Sequence, residues 1–260
     1  PIFRTQRRNK NGVLFFLKNF NNMPKQSITD VFFDLDHTLW DFDRNSQLAF
    51  QRVFVKHQIQ LELQDFIRAY EPINLRYWKL YREEKVTKEQ LRRGRLTETF
   101  QQFSIAYPIE TIDALAVAYI DELPIDNHLL EGSMEVLEYL KPKYKLHIIT
   151  NGFKEVQHLK LANSKIAPFF ETITTSEEVG VKKPNPLVFK TAMKKAKTSA
   201  ESSIMIGDSF EADIEGAAAV GMSTLFYNYR KEHLIDDIHA IDQLIEIKNG
   251  GMMVRLMISI

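Results

Sequence analysis

The chain has 260 residues, 44% of them hydrophobic, with 34 basic and 34 acidic side chains and no cysteine. That composition can bury a core of ordinary size and excludes disulfides, thiolate metal sites and a cysteine nucleophile, as fits a reducing cytosol. Balanced charge gives no global field to draw in nucleic acid or an anionic membrane, and no apolar run approaches the roughly 20 residues of a membrane span.

Residues 1–26 form a basic extension in which Arg4, Arg7, Arg8, Lys10, Lys18 and Lys25 occur without an acid. A mitochondrial transit segment has such a composition, but Met23-Pro24 reads as a start a few residues before the first strand. The extension is therefore expected to be disordered or not native. The apolar run Val31-Phe32-Phe33 predicts a strand that ends in Asp34-Leu35-Asp36-His37-Thr38. An extended strand points residues i and i+2 to the same side, so both carboxylates leave it together. The first can attack an electrophilic phosphorus, and the second can protonate the leaving oxygen and then deprotonate a water. The same pentapeptide is also a common Asp-rich turn, and the downstream sequence decides between the two.

From residue 43 to 124 the pattern is helical. Ala49, Phe50, Val53 and Phe54 share one face, as do Ile73, Tyr77, Leu80 and Tyr81 in a second helix that Pro72 is expected to kink or break. Thr87 and Gln90 form a capping box for a third helix running to residue 103, and a fourth begins near Glu110 and ends before Pro124.

From Ser133 onward, helices at 133–140, 153–163, 186–197 and 212–220 alternate with apolar strands at 145–150, 172–174, 204–207 and 223–226. Asn185 is a good N-cap ahead of Pro186, and Gly221 a good helix stop. Such alternation predicts a doubly wound parallel α/β sheet covered on both faces. The α/β core thus comprises residues 27–42 and 125–249, interrupted after its first strand by the all-helical block 43–124. The apolar tail 250–260 is too short to span a bilayer and carries no functional reading.

Ligands of an open parallel sheet bind beyond the carboxyl ends of its strands, and the reactive residues cluster there. Thr150-Asn151-Gly152 offers a hydroxyl and turn amides to a phosphate oxygen, although it is also ordinary turn chemistry. Lys183 precedes a proline-started helix, where its cation could neutralise both a phosphate and Asp34. Asp208 and Asp213 supply hard oxygen ligands for Mg²⁺, with Asp213 either orienting Lys183 or supporting the metal ligands.

In their order and spacing these four pieces resemble motifs I to IV of the haloacid dehalogenase (HAD) superfamily, over residues 28 to about 228, and the helical block resembles its C1 cap. The resemblance implies a HAD-like Rossmannoid core, with Asp34 as nucleophile, Asp36 as general acid and base, Thr150 and Lys183 as phosphate ligands, and Asp208 as metal ligand. It also implies that Mg²⁺ is held by the Asp34 carboxylate and the Asp36 carbonyl. The stretches Ile148-Ile149-Thr150-Asn151-Gly152-Phe153 and Ser176-Glu177-Glu178-Val179-Gly180-Val181, with the segment around Trp78 and Arg95, are similar to bacterial HAD pyrimidine 5′-nucleotidases. His37 departs from the Glu, Asp or Gly more often found there.

The expected activity is Mg²⁺-dependent hydrolysis of a small phosphomonoester through an aspartyl-phosphate. The expected substrate is a nucleoside 5′-monophosphate, with phosphoglycolate or a sugar phosphate as the alternative. Trp78 and Arg95 are candidates for reading the leaving group. A 2-haloacid dehalogenase needs neither metal nor alkoxide protonation, so Asp36 and Asp208 argue against it, and the intact set of acids and lysine argues against a non-catalytic binding module. A cytoplasmic monomer or homodimer is expected, acting on a metabolite and binding neither nucleic-acid polymer nor membrane.

Overall fold

The computed structural model describes residues 27–231 and 238–249, together with the backbone of β1 (Gln6–Arg8) and β2 (Leu14–Phe16), which pair antiparallel. The remaining expectations for the basic extension, and all those for the tail, lie outside the described residues.

The main sheet contains β3 (Asp30–Phe33), β4 (Lys145–Thr150), β5 (Phe170–Thr175), β6 (Ser203–Gly207), β7 (Ser223–Tyr227) and β8 (Ala240–Ile241). Their order is β5-β4-β3-β6-β7-β8, and every neighbouring pair is parallel. Alternation along each strand feeds two separate apolar layers. Val31, Phe33, Ile148 and Ile206 join the larger one, whereas Phe32, Ile149 and Met205 pack with Val188, Phe189 and Met193 of α8 (Pro186–Ala196). All three residues of the Val31-Phe32-Phe33 run have no exposed surface, and full burial of such side chains is worth about 1.5–3 kcal/mol each. This fixes β3 at the middle of the sheet, with Asp34 just past its end.

Local signals in the α/β half behave as expected. Asn185 caps α8 by accepting from the Leu187 amide, and α5 occupies Ser133–Leu140. Strand β5 is longer than the three residues expected, because its register with β4 runs from Phe170 to Thr175. The helix expected at 212–220 is a π-helical turn, Phe210–Glu215, followed by the short α9 (Gly216–Ala218).

Four helices, α1 (Phe42–Lys56), α2 (Leu63–Arg82), α3 (Lys88–Gln101) and α4 (Ile109–Glu122), are inserted between β3 and α5. Pro72, expected to kink or break the second helix, does not break it, since α2 runs through it. An interior proline costs about 3 kcal/mol, but one continuous buried face on either side of it, Phe66, Ile67 and Tyr70 before and Asn74 and Tyr81 after, outweighs that cost. Thr87 and Gln90 do form the reciprocal capping box that starts α3, and that helix ends at Gln101, two residues short of its expected end.

Aromatic packing centres the insertion on Phe50, stacked 4.2 Å from Tyr119 and edge-on to Phe66 and Tyr70. Its buried side chains belong to one apolar cluster with the larger layer of the α/β half. Among the described residues no helix is long and apolar enough to cross a membrane.

Candidate active site

Past the end of β3, Asp34 meets a lysine that the fold has buried. The Lys183 ammonium lies 2.9 Å from Asp34 Oδ1 and 2.6 Å from Asp213 Oδ1, and donates to the Ile149 carbonyl at 2.8 Å. Lys183 is 1% exposed and Asp213 0%, so this is a desolvated charge network in which removing one partner would strand the others. Burial works against the Lys183 cation, but the Asp213 and Asp34 carboxylates outweigh it and hold the group above its ordinary pKa.

Two features of the chain deliver Asp213 to that lysine. The π turn after β6 starts it close to the strand end, where Asp213 Oδ2 accepts from the Ser209 amide at 3.1 Å. Gly207 supplies the clearance, since a Cβ there would collide with the Asp213 carboxylate. Asp208 lies on the other side, accepting from the Thr38 hydroxyl at 3.1 Å. Carboxylate oxygens of Asp34, Asp208 and Asp213 fall within 4.8 Å of one another.

Three carboxylates thus face one ammonium. Burial, and then repulsion from Asp34 and Asp213, raises the Asp208 pKa well above the usual carboxylate range. Burial likewise pushes Asp34 up to about 7, with Lys183 pulling it down and Asp213 pushing it further up. Lys183 is shared between Asp213 and Asp34, and the Ser209 amide also engages Asp213, so one ammonium leaves surplus charge on the cluster. A hard divalent cation such as Mg²⁺ fits this all-oxygen set and would relieve its repulsion.

Asp36 occupies a different environment. Its Oδ1 is 2.6 Å from the Lys160 ammonium and its Oδ2 accepts from the Gln157 amide at 3.0 Å. Lys160, 2% exposed, lies 4.1 Å from the Trp40 ring centre and 5.1 Å from that of Phe42. Desolvation lowers its pKa, with the Asp36 carboxylate opposing. Gln157 also donates to Thr150 Oγ1 at 2.7 Å, and the Gly152 amide donates to the same oxygen at 3.0 Å. A side chain at Gly152 would run into the Gln157 amide.

Gln157 and Lys160 stand out in the structure and not in the sequence reading. The available signal was their place in α6 (Lys154–Asn163), whose buried positions are Val156, Gln157, Lys160 and Leu161. Two polar residues thus occupy half of an apolar stripe. Thr38, within the first motif, likewise gains a specific role only from its contact with Asp208.

The other expected site residues are distributed as follows. Asn151 clamps the lysine loop, accepting from the Lys183 amide at 2.8 Å and donating to the Lys183 carbonyl at 3.0 Å. Trp78 is half-buried, 5.2 Å from Phe153, which follows directly on the Thr150-Asn151-Gly152 turn. The Phe153 ring also lies under the Lys88 and Arg92 cations, and both of these bond Glu155. Lys88 reaches Glu177 as well, at 2.8 Å, so the insertion is seated on the α/β half beside the site.

Arg95 is 2% exposed, donates to Asn74 Oδ1 at 2.9 Å and lies 5.1 Å from the Tyr119 ring centre. His37 adopts a left-handed backbone (φ 61°), with its ring against Phe42 and Tyr229. Burial lowers its pKa against the pull of Asp43. It borders a cavity of about 240 Å³ between the two halves, which also touches Phe42, Ser46, Tyr70, Asn74 and Arg230.

Comparison with known proteins agrees with this geometry. The model of the haloacid dehalogenase-like hydrolase family matches residues 31–227. Pyrimidine 5′-nucleotidase YjjG of Escherichia coli is 30% identical over 225 residues, covering 83% of this chain and 96% of its own. A glyceraldehyde 3-phosphate phosphatase of Pyrococcus abyssi is 32% identical over 203 residues, covering 77% of this chain and 82% of its own. Among solved structures, a HAD-hydrolase, YfnB of Bacillus subtilis bound to magnesium, superposes with a TM-score of 0.78 at 27% identity, covering 86% of this chain and 98% of that one.

Proposed function

The chain belongs to the haloacid dehalogenase-like hydrolases, and on that premise we propose that it is a Mg²⁺-dependent phosphatase acting through an aspartyl-phosphate, with a nucleoside 5′-monophosphate as substrate. The observation that carries the reaction class is the unequal pair of carboxylates after β3. One lies in a cluster of surplus negative charge that suits a cation, and the other is a separately held acid and base group.

In the first half-reaction an Asp34 oxygen attacks phosphorus, the P–O ester bond breaks, and the leaving alkoxide takes a proton from Asp36. In the second, Asp36 takes a proton from a water that attacks the acyl phosphate, which releases inorganic phosphate and restores the Asp34 carboxylate. Lys183, beside Asp34, neutralises charge on the transferring group, and the Thr150 hydroxyl with the amides of the Asn151-Gly152 turn positions its oxygens. Asp34 and Asp208, with the Asp36 carbonyl, would hold Mg²⁺. When bound, that ion supplies neutralisation of the surplus charge and of the phosphate. A dehalogenase needs no alkoxide acid and no such cluster, so Asp36 and Asp208 favour phosphate transfer.

Similarity to YjjG over nearly that protein's whole length supports the nucleotide assignment. The helical insertion is read as a cap, and Trp78 and Arg95 as candidates for recognising the leaving group. A screen of nucleotides, sugar phosphates and phosphoglycolate with Mg²⁺, and again with excess chelator, tests the proposal. Preferred turnover of a pyrimidine nucleoside 5′-monophosphate, lost on chelation, is expected. A screen led by a sugar phosphate would overturn the substrate and leave the phosphatase standing, whereas full activity in chelator would overturn the metal's role.

A further inference from the structure

Lys160 has no part in the reaction outlined above, yet it is a fully enclosed ammonium aimed at one of the two reacting carboxylates. Burying an ammonium costs several kcal/mol unless it is paired and hydrogen-bonded. Its one ion-pair partner among the described residues is Asp36, at 2.6 Å. The Trp40 and Phe42 rings face it at 4.1 and 5.1 Å, which favours the cation, and among the described residues no other carboxylate is in ion-pair contact with it. Asp36 Oδ2 is taken by Gln157, whose amide also reaches Thr150 Oγ1. Both oxygens of Asp36 are therefore fixed, and the side chain is tied through one amide to the hydroxyl assigned to the phosphate.

We infer that Lys160 is the positioning residue for Asp36, holding it oriented as the base that draws a proton from the attacking water in the second half-reaction. This rests on the phosphatase reading. It follows from the direction of the contacts, because an ammonium and an amide N–H both donate to the carboxylate form, which is the form the second half-reaction uses. The proton moves from water to Asp36 as the new P–O bond forms and the bond to Asp34 breaks. Lys160 neither gains nor loses a proton.

The test separates the two half-reactions with p-nitrophenyl phosphate, whose phenolate leaves without needing a proton. For this ester kcat/KM reports formation of the aspartyl-phosphate, and kcat reports its hydrolysis once that step limits turnover. Lys160→Met should lower kcat about tenfold or more while lowering kcat/KM much less. It should also produce a burst of nitrophenol and a phosphorylated protein detectable by intact mass. Lys160→Arg should restore kcat in large part. If Lys160→Met does not fold by circular dichroism, Lys160→Gln carries the same measurements.

An equal fall in kcat and kcat/KM without phosphoprotein would make Lys160 a packing residue only and overturn the inference, as would an unchanged kcat. In an Asp36→Asn background, where the base is already gone, Lys160→Met should slow phosphoprotein decay no further, and an additive loss would also overturn it. A wild-type chain inactive on every phosphomonoester with Mg²⁺ would overturn the phosphatase reading itself, and this role with it. That outcome is distinct from an active wild type with an indifferent Lys160.

Discussion

Asp34 and Asp36 are two residues apart and each meets a buried lysine, but the two pairs differ in charge balance. Lys183 is shared between Asp34 and Asp213, with Asp208 close by, so its corner carries more negative charge than its one ammonium can cancel. Lys160 makes its one ion-pair contact among the described residues with Asp36, beside the Trp40 and Phe42 rings, so that contact matches one charge with one. A surplus of desolvated carboxylate invites a cation and leaves Asp34 responsive to what binds. A balanced pair fixes one orientation. The fold thus gives two carboxylates of the same strand end different neighbours, which is what the proposed roles of nucleophile and base require.

The sharpest way to break the comparison is Asp34→Asn. An amide cannot form the acyl phosphate, so turnover should fall on the order of 10⁴-fold or more in protein that still folds by circular dichroism. Wild-type rates from purified, folded Asp34→Asn would falsify the covalent route. Next in size is the metal. Excess chelator should abolish activity and Mg²⁺ restore it, and Asp208→Ala should raise the Mg²⁺ concentration required. In chelator, Asp208→Asn should melt above the wild type, since it removes one of three crowded carboxylates. A lower melting point would mean that the surplus charge costs the fold nothing.

A smaller effect is expected in the insertion. Alanine at Trp78 or Arg95 should lower kcat/KM for nucleoside 5′-monophosphates about tenfold more than for p-nitrophenyl phosphate. Equal losses would assign Trp78 to its contact with Phe153, and Arg95 to holding Asn74 among the insertion helices.

The smallest effect lies at the other end of the strands, at a buried pair with no part in the proposed reaction. His147 is fully buried, 3.0 Å from Asp30 Oδ1, and burial lowers its pKa below the ordinary 6.5 although Asp30 opposes this. A depressed pKa means the unfolded chain binds the proton first. Stability from this group is therefore present above 6.5 and lost as pH falls through and below that value. Melting temperatures from about pH 7.5 down to about pH 5.5 should fall less steeply for His147→Gln than for the wild type. An unchanged slope would show that the imidazole titrates alike in both states.

Much of the site was legible because it lies at strand ends, where the apolar runs stop. Val31 to Phe33 located Asp34 and Asp36, and the run before Thr150 located the turn after β4. Gln157 and Lys160 escaped because they sit inside a helix, where polar residues usually face water, and only packing shows that this face turns inward to Asp36. For a related reason, Pro72 does not end its helix. Its local cost is real, but the buried face of α2 continues on both sides of it and decides the outcome.

By itself, the sequence determined the layered α/β architecture and the place of the helical insertion, and it singled out Asp34, Asp36, Lys183 and Asp208 as candidates. Periodicity and strand ends are local properties that survive without knowledge of neighbours. Only the tertiary structure decided which lysine meets which aspartate, that Asp213 reaches Lys183 through the π turn and the space left at Gly207, and that Lys160 is enclosed by Trp40. Charge balance at a buried carboxylate is set by groups far apart in the chain and close in space, and no local pattern encodes that distance.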